Sequence, residues 1–534
     1  MEPVATGQIS NVQDRLANLP SGVPAADALM MLHDMELRTD EAYEWPWLRW
    51  PLFLAESPVL AGELARVCAE ADMSGLSDFE AAVFHHAAGL RRTEPDMQAI
   101  TDFLGNPGYV LGQVETLAPA FLFELAQMAF AEKRWRIVAA TAGRLLRDRP
   151  WEKDAVPLER MLDLLFEMLF FATYRPAMPF YIRDPSVLLG QLDMLAAAPH
   201  VQDILSRDSI TATVFRAGRL ALEGNLDQAL PLFGKANSMR GFSTPVIRQY
   251  QTVMETDALE QEAADDLDAW HSVRSRVQHR FRHAGGGHAL LVGCNQHYYD
   301  LYAALYLESV GVMSPGALVH LHIVNPGQEA ADLEAQLDAW EASFGVRLNY
   351  SFEVNEIAES RPEYVPAISA CARYLSLPEF LEAYETVTIT DIDGWVDAPL
   401  REMAVEEADV RISSWIWRKG GGYWRLPWSN LAAGLLSVKA TAAGREFAQR
   451  VRHYLINVTR TNVALGRQLF YMDQVALFLT LKAMADAGDI RIGFLRGGFE
   501  QSEEQRFGVR HEGKRQAMVE KIEELRQQTG DQKA

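Results

Sequence analysis

A chain of 534 residues is too long for one core, since single cores stop growing at roughly 250 to 300 residues, and two or three units are expected. With 49% hydrophobic and 23% charged residues, its composition excludes wholesale disorder and low-complexity architectures. The formal charge of -22, with 16 acidic against 6 basic side chains in residues 1 to 100, argues against nucleic acid and anionic membranes as partners.

The start, Met-Glu-Pro-Val-Ala-Thr-Gly, has neither the basic nor the apolar region of a signal peptide. The longest apolar stretch, Met161 to Thr173, is interrupted by Asp163 and Glu167, so no transmembrane span is expected. Cys68, Cys294 and Cys371 are too scattered for a disulfide framework, which fits a reducing cytoplasm. Tyr43, Trp45, Trp47 and Trp50 stand beside Pro46 and Pro51 and read as a packed cap.

Residues 1–283 carry little strand signal. Runs such as Asp78 to Leu90 and Leu158 to Phe171 repeat their apolar positions every three or four residues, the period of a helix buried on one face. Ala217, Gly224, Ala229, Phe233 and Ala236 follow the small-residue spacing of a tetratricopeptide-like helical hairpin, and Ala126, Trp135 and Pro150 repeat it in part. Such a region is either a packing platform or a surface for a protein partner.

Gly285, Gly286 and Gly287 predict a joint. Beyond it, strands at Ala289 to Gly293, Leu318 to Val324 and Leu348 to Val354 alternate with helices from about Tyr299 to Val310 and Ala330 to Phe344. This alternation predicts an α/β domain with a mostly parallel sheet, over 284–515, whose ligands sit beyond the carboxyl ends of its strands. The last stretch, 516–534, reads as a charged, solvated helix that frays.

The run Tyr384-Glu-Thr-Val-Thr-Ile-Thr-Asp391-Ile392-Asp393-Gly is a β-branched strand that ends in two aspartates one residue apart. Carboxylates so placed can hold a hard divalent cation, which in turn helps a diphosphate depart. Alone the signal is weak, because aspartates are common wherever strands turn. Upstream lies Ala372-Arg373-Tyr374-Leu375, and downstream come Ala432-Ala433-Gly434-Leu435-Leu436, Asp473-Gln474 and His511-Glu-Gly513-Lys514.

In this order, from about His288 to Arg515, these elements resemble the GT-A glycosyltransferases, family 8 and its relatives in particular. The resemblance implies a metal-dependent, Rossmann-like transferase that moves a sugar from a nucleotide-diphosphate donor, usually a UDP-sugar with Mn²⁺ or Mg²⁺. The acceptor, whether saccharide, protein or small molecule, is left open, and family 8 implies retention at the anomeric carbon. Asn295 and Tyr299 then hold the base, with Tyr298 as a substitute. Asp391 and Asp393 bind the metal, Asp391 also reaching the ribose, and His511 is the third metal ligand. Gly513 and Lys514 contact the departing phosphates.

Arg373 is suited to bridge diphosphate oxygens with its planar fork of donors, or else forms a surface ion pair with Glu379 or Glu382. Asp473 and Gln474 begin a helix, where an aspartate can be a plain cap; the resemblance assigns them to the transferred sugar or its acceptor. Ala432 departs from the family's usual asparagine, unless Asn430 supplies that amide, which leaves a non-catalytic helical scaffold with a degenerate transferase domain as the rival reading. Trp415 to Trp428, with Gly420, Gly421 and Gly422 at its centre, reads as a sugar-stacking lid or a static packed loop. A nucleotidyltransferase would need a glycine-rich loop after the first strand, and Cys294-Asn-Gln-His-Tyr is not one.

Overall fold

The fold is seen in a computed structural model, which describes residues 22–30, 66, 70–87, 94–149, 161–173, 185–239, 252–253, 276–283, 287–327, 330–403, 407–414, 426–467, 469, 471–495, 497–500 and 511–531. The chain divides into two compact units, Met1–Arg248 and Gln249–Ala534.

The described part of the first unit is helical. Helices α1 (Pro119–Ala131) and α2 (Trp135–Asp148) form one hairpin, α3 (Ile210–Leu222) and α4 (Leu226–Ser238) another. In α2 the buried side chains Ile137, Val138, Thr141, Ala142, Leu145 and Leu146 recur at helical spacing and form the stripe that faces α1. Ser209 caps α3 by accepting from the Ala212 amide, and Gly224, at φ +85°, lets the chain reverse into α4. Ala217, Ala229, Phe233 and Ala236 are all buried in this second hairpin. Tyr43, Trp45, Trp47, Trp50 and Pro150 lie outside the described residues.

The second unit is built on an eight-stranded sheet in the order β1-β4-β3-β2-β5-β8-β7-β9. Its strands are β1 (Arg276–Arg280), β2 (His288–Asn295), β3 (Leu318–Val324), β4 (Arg347–Val354), β5 (Thr386–Thr390), β7 (Val410–Ser414), β8 (Leu431–Lys439) and β9 (Ile492–Phe494); β6 (Trp395–Val396) and β10 (Phe499–Glu500) make a separate pair. Strands β4, β3, β2 and β5 run parallel, and β1 and β8 flank them antiparallel. The crossovers include α5 (Gln296–Met313), α6 (Ala330–Phe344), α7 (Val365–Leu375) and α8 (Leu377–Ala383). Each predicted strand and helix between Ala289 and Val354 is present. The parallel strands β3 and β5 are buried at every residue, as expected where both faces of a sheet are covered.

Strand β2 pairs with β3 on one side and β5 on the other, so the winding reverses between β2 and β5. A crevice opens at such a reversal, beyond the carboxyl ends of the two strands.

Two expectations differ from the structure. The glycine run lies inside the second unit, because β1 precedes it and pairs with β4, from Arg276 opposite Val354 to Arg280 opposite Tyr350. The charged tail is no frayed helix: it belongs to α11 (His511–Asp531), which docks on α5 and β6 and buries Met518, Ile522 and Leu525. Helices α9 (Ala442–Ala464) and α10 (Met472–Ala487) complete the unit.

Candidate active site

The two aspartates leave the end of β5 at the mouth of the reversal crevice. Ile392 between them is 2% exposed and sits in the core, while the flanking carboxylates meet Arg373 and Lys514. Burying such a side chain contributes roughly 2 to 3 kcal/mol toward holding the loop. The carboxylates are partly shielded rather than open to solvent, at 32% exposure for Asp391 and 14% for Asp393.

Asp391 is seated from beneath. Arg373, on α7 and 2% exposed, brings Nη1 to 2.6 Å from Asp391 Oδ1 and donates to the Thr390 carbonyl at 2.8 Å and, through Nη2, to the Ala433 carbonyl at 3.4 Å. The neighbouring Tyr374 hydroxyl donates to that same Ala433 carbonyl. Arg373 is therefore a buried strut joining α7, β5 and β8, and its ion pair is with Asp391, not with Glu379 or Glu382. On the other flank, a Cβ at Gly434 would lie 2.1 Å from Asp391 Oδ2, so the glycine of Ala432-Ala433-Gly434 makes room for the carboxylate.

Asp393 meets the last helix. Lys514, in the first turn of α11, forms an ion pair with Asp393 Oδ2, and its ammonium lies 5.4 Å from the centre of the Tyr302 ring. Burial, and then the charge of Asp391, push the Asp393 carboxyl above its ordinary range, while Lys514 pulls the other way. Gly513 precedes Lys514 in the same turn. His511 shares a 2.7 Å hydrogen bond between Nδ1 and the Tyr302 hydroxyl, and its ring stands 5.2 Å from His297 and 5.7 Å from Tyr298.

Of the residues expected to hold a base, Asn295 caps α5, its side chain accepting from the Tyr298 amide at 2.9 Å. Tyr299 turns away: it is 1% exposed, packs 5.2 Å from the Trp340 ring and donates to Gln336 at 2.9 Å. Tyr298 is the tyrosine on the crevice side, its hydroxyl pKa raised by burial and by the charges of Asp393 and Asp391. The first turn of α5 also directs its amide dipoles toward the crevice, where a negative group is favoured.

Asp473 lies within electrostatic reach of Arg373 and Asp391, and burial raises its pKa against the opposing pull of Arg373. Its Oδ1 accepts from the Gln474 amide at 2.8 Å, while Gln474 Oε1 is buried with no hydrogen-bond partner. The preceding Tyr471 holds φ at +57°, an uncommon conformation for a bulky residue, which fixes how α10 enters beside the site. Trp415 to Arg425 lies outside the described residues.

Arg373, Asp391, Asp393, Asp473, Lys514 and, through Tyr302, His511 thus gather at the crevice, whereas Tyr299 does not. The sequence carries no local signal for the roles of Tyr374 and Gly434, whereas Tyr302 follows Tyr298 by four residues on one helix face. Among the described residues, no three His, Cys, Asp or Glu side chains form a group that could hold a metal ion. Two carboxylates do fit a hard cation that keeps its waters and takes its remaining oxygens from a substrate's phosphates, as Mg²⁺ commonly does.

His320 and His322, on one face of β3, belong to a buried polar network. His320 reaches Tyr384 at 2.8 Å and Ser351 at 2.6 Å, and His322 reaches Glu353 at 2.8 Å.

No family model matches the sequence, and no curated protein matches it. Among solved structures, the apo form of the glycosyltransferase GlyE of Streptococcus pneumoniae TIGR4 is similar at 15% identity over 40% of this chain and 46% of that one, with a TM-score of 0.27. The apo bifunctional glycosyltransferase WbbM is similar at 14% identity over 40% and 39%, also at 0.27. This chain spans less than half the length of either. No helix among the described residues is long and apolar enough to cross a membrane.

Proposed function

We propose that the second unit is a GT-A type glycosyltransferase domain, similar to family 8, that moves a sugar from a nucleotide-diphosphate donor, preferably a UDP-sugar, with retention at the anomeric carbon. The observation that carries this reading is the Asp391 and Asp393 pair at the β2/β5 reversal, facing Lys514 from the last helix. In such a site Asp391 and Asp393 would hold Mn²⁺ or Mg²⁺, which would supply electrophilic help to the departing diphosphate. Lys514 turns to the diphosphate and neutralises the charge that grows as the anomeric bond breaks, and the α5 N-terminus adds its dipole to the same end. Tyr298 stacks on the base, and Asn295 presents its remaining amide donors to the base edge. Asp473 and Gln474 orient the sugar or the incoming hydroxyl. The helical first unit is read as a tetratricopeptide-like surface that receives the acceptor or a protein partner.

Calorimetry with UDP, with and without Mn²⁺, tests the reading. Metal-dependent binding that weakens by more than about tenfold in Asp393→Ala is the expected result, a difference of about 1.4 kcal/mol or more. No binding of UDP or of any other nucleoside diphosphate would sink it. Slow hydrolysis in a panel of nucleotide sugars then identifies the donor without knowledge of the acceptor.

A further inference from the structure

Each aspartate of the pair already has a protein cation: Arg373 on Asp391 and Lys514 on Asp393. The two cations are not equivalent. Arg373 is 2% exposed and tied to two backbone carbonyls, so it cannot leave without stranding a buried charge. Lys514 has a side chain 11% exposed on a four-carbon stem, and its ammonium carries three rotatable donors. It can re-aim while α11 stays docked through Met518, Ile522 and Leu525.

We propose that Lys514 stands in for a divalent cation in the free protein, so that the site takes up a metal only as the complex of that metal with a nucleoside diphosphate. The inference rests on the nucleotide reading above and specifies the form in which the donor binds. With Arg373 and Lys514 in place, the charges of Asp391 and Asp393 are each opposed by a cation, and a bare dication gains less by approaching. It would have to expel the ammonium from Asp393 and leave it close by, a repulsion of like charges in a shielded crevice. A metal–diphosphate complex removes that obstacle, because its phosphate oxygens accept the ammonium as Asp393 releases it. Among the described residues no third His, Cys, Asp or Glu joins the pair in a group that could hold a metal ion, so phosphate oxygens and water would complete the coordination.

The test uses the full-length chain, Mn²⁺ as the chloride, and UDP, read by calorimetry and by the relaxation of water protons around bound Mn²⁺. Wild type is expected to take up Mn²⁺ at least about tenfold more tightly with UDP than without it. Lys514→Met, which removes the ammonium from Asp393, gains at least about tenfold in affinity for bare Mn²⁺ and loses affinity for UDP. Lys514→Arg, which keeps the charge, remains as indifferent to bare Mn²⁺ as wild type. Equal affinity of wild type for Mn²⁺ with and without UDP overturns the inference, and this arm needs no variant to fold. Equal affinity of wild type and Lys514→Met for bare Mn²⁺ overturns it as well. A wild type that binds no UDP overturns the nucleotide reading and the metal's path with it, while the bare-metal comparison still decides whether Lys514 occupies the cation's place.

Discussion

Gly434 has no side chain to offer a ligand, yet the aim of Asp391 depends on it. Because an added Cβ would lie 2.1 Å from Asp391 Oδ2, Gly434→Ala must push the carboxylate off Arg373 or bend β8. The variant is expected to lose about 1 to 3 kcal/mol of stability, as overpacked sites do, and to weaken UDP binding in step. Thermal unfolding paired with calorimetry checks this, and unchanged values in both would show that Asp391 does not need the gap. At this scale the sequence was partly legible. The strand followed by D-x-D marked Asp391 and Asp393, since β-branched residues and exit aspartates are local signals. The choice between Tyr298 and Tyr299 was not, because neighbours on a helix point about 100° apart and the phase of α5 is set by where Asn295 caps it. Nor could Arg373 be placed beneath Asp391, since its partners come from β5 and from β8, 17 and 60 residues away.

At the scale of elements, the helix that ends the second unit holds the most unexpected position. The segment is rich in charge, and its apolar positions Met518, Ile522 and Leu525 are few, spaced by four and three residues, so the stripe is narrow and easily taken for a solvated face. Those three side chains nevertheless pin α11, and the pin sets where Lys514 and His511 arrive. Leu525→Ala should therefore cost about 2 to 5 kcal/mol and lower UDP affinity without altering a single charged group. Glu523→Ala, on the exposed face, should change stability by less than about 0.5 kcal/mol. Hydrogen exchange across 511–531 reports the loosening directly, and protection that survives Leu525→Ala would mean the docking is held elsewhere. The alternating elements from β2 to β4 were legible because each carries its own period. Strand β1 was not: Arg-Val-Gln-His-Arg alternates only weakly, as an antiparallel strand at a sheet edge is allowed to do, and the glycines after it drew the boundary too late.

Across the whole molecule, stability should fall in acid by two routes of the same sign. Burial depresses His288 to about 4 and holds His320 well below its ordinary range, so both stay neutral in the native state. The unfolded chain takes up their protons first, and stability declines as the pH drops from about 6.5 toward 4. Asp409 acts lower on the scale. The Arg491 guanidinium, with help from Thr441, lowers its carboxyl to about 2, so its contribution is complete above the unfolded value of 3.8 and disappears as pH falls through 2. Arg491 is 68% exposed, so solvent screens the pair and keeps its contribution small. Urea unfolding of wild type and Asp409→Asn at pH 7, 5 and 3 checks the assignment. A gap present at pH 7 and 5 should shrink at pH 3, whereas a constant gap would place the role of Asp409 in packing rather than charge.

Lys514 follows Asp393 by 121 positions, so at roughly 5 to 20 residues per second a ribosome makes the carboxylate roughly 6 to 24 seconds before the ammonium. During that interval the nascent chain carries Asp393 without the lysine that pairs with it in the finished fold. On the proposed reading, a diphosphate meets its ammonium partner only once α11 is translated and docked, which makes the full grip on it a late event in biosynthesis.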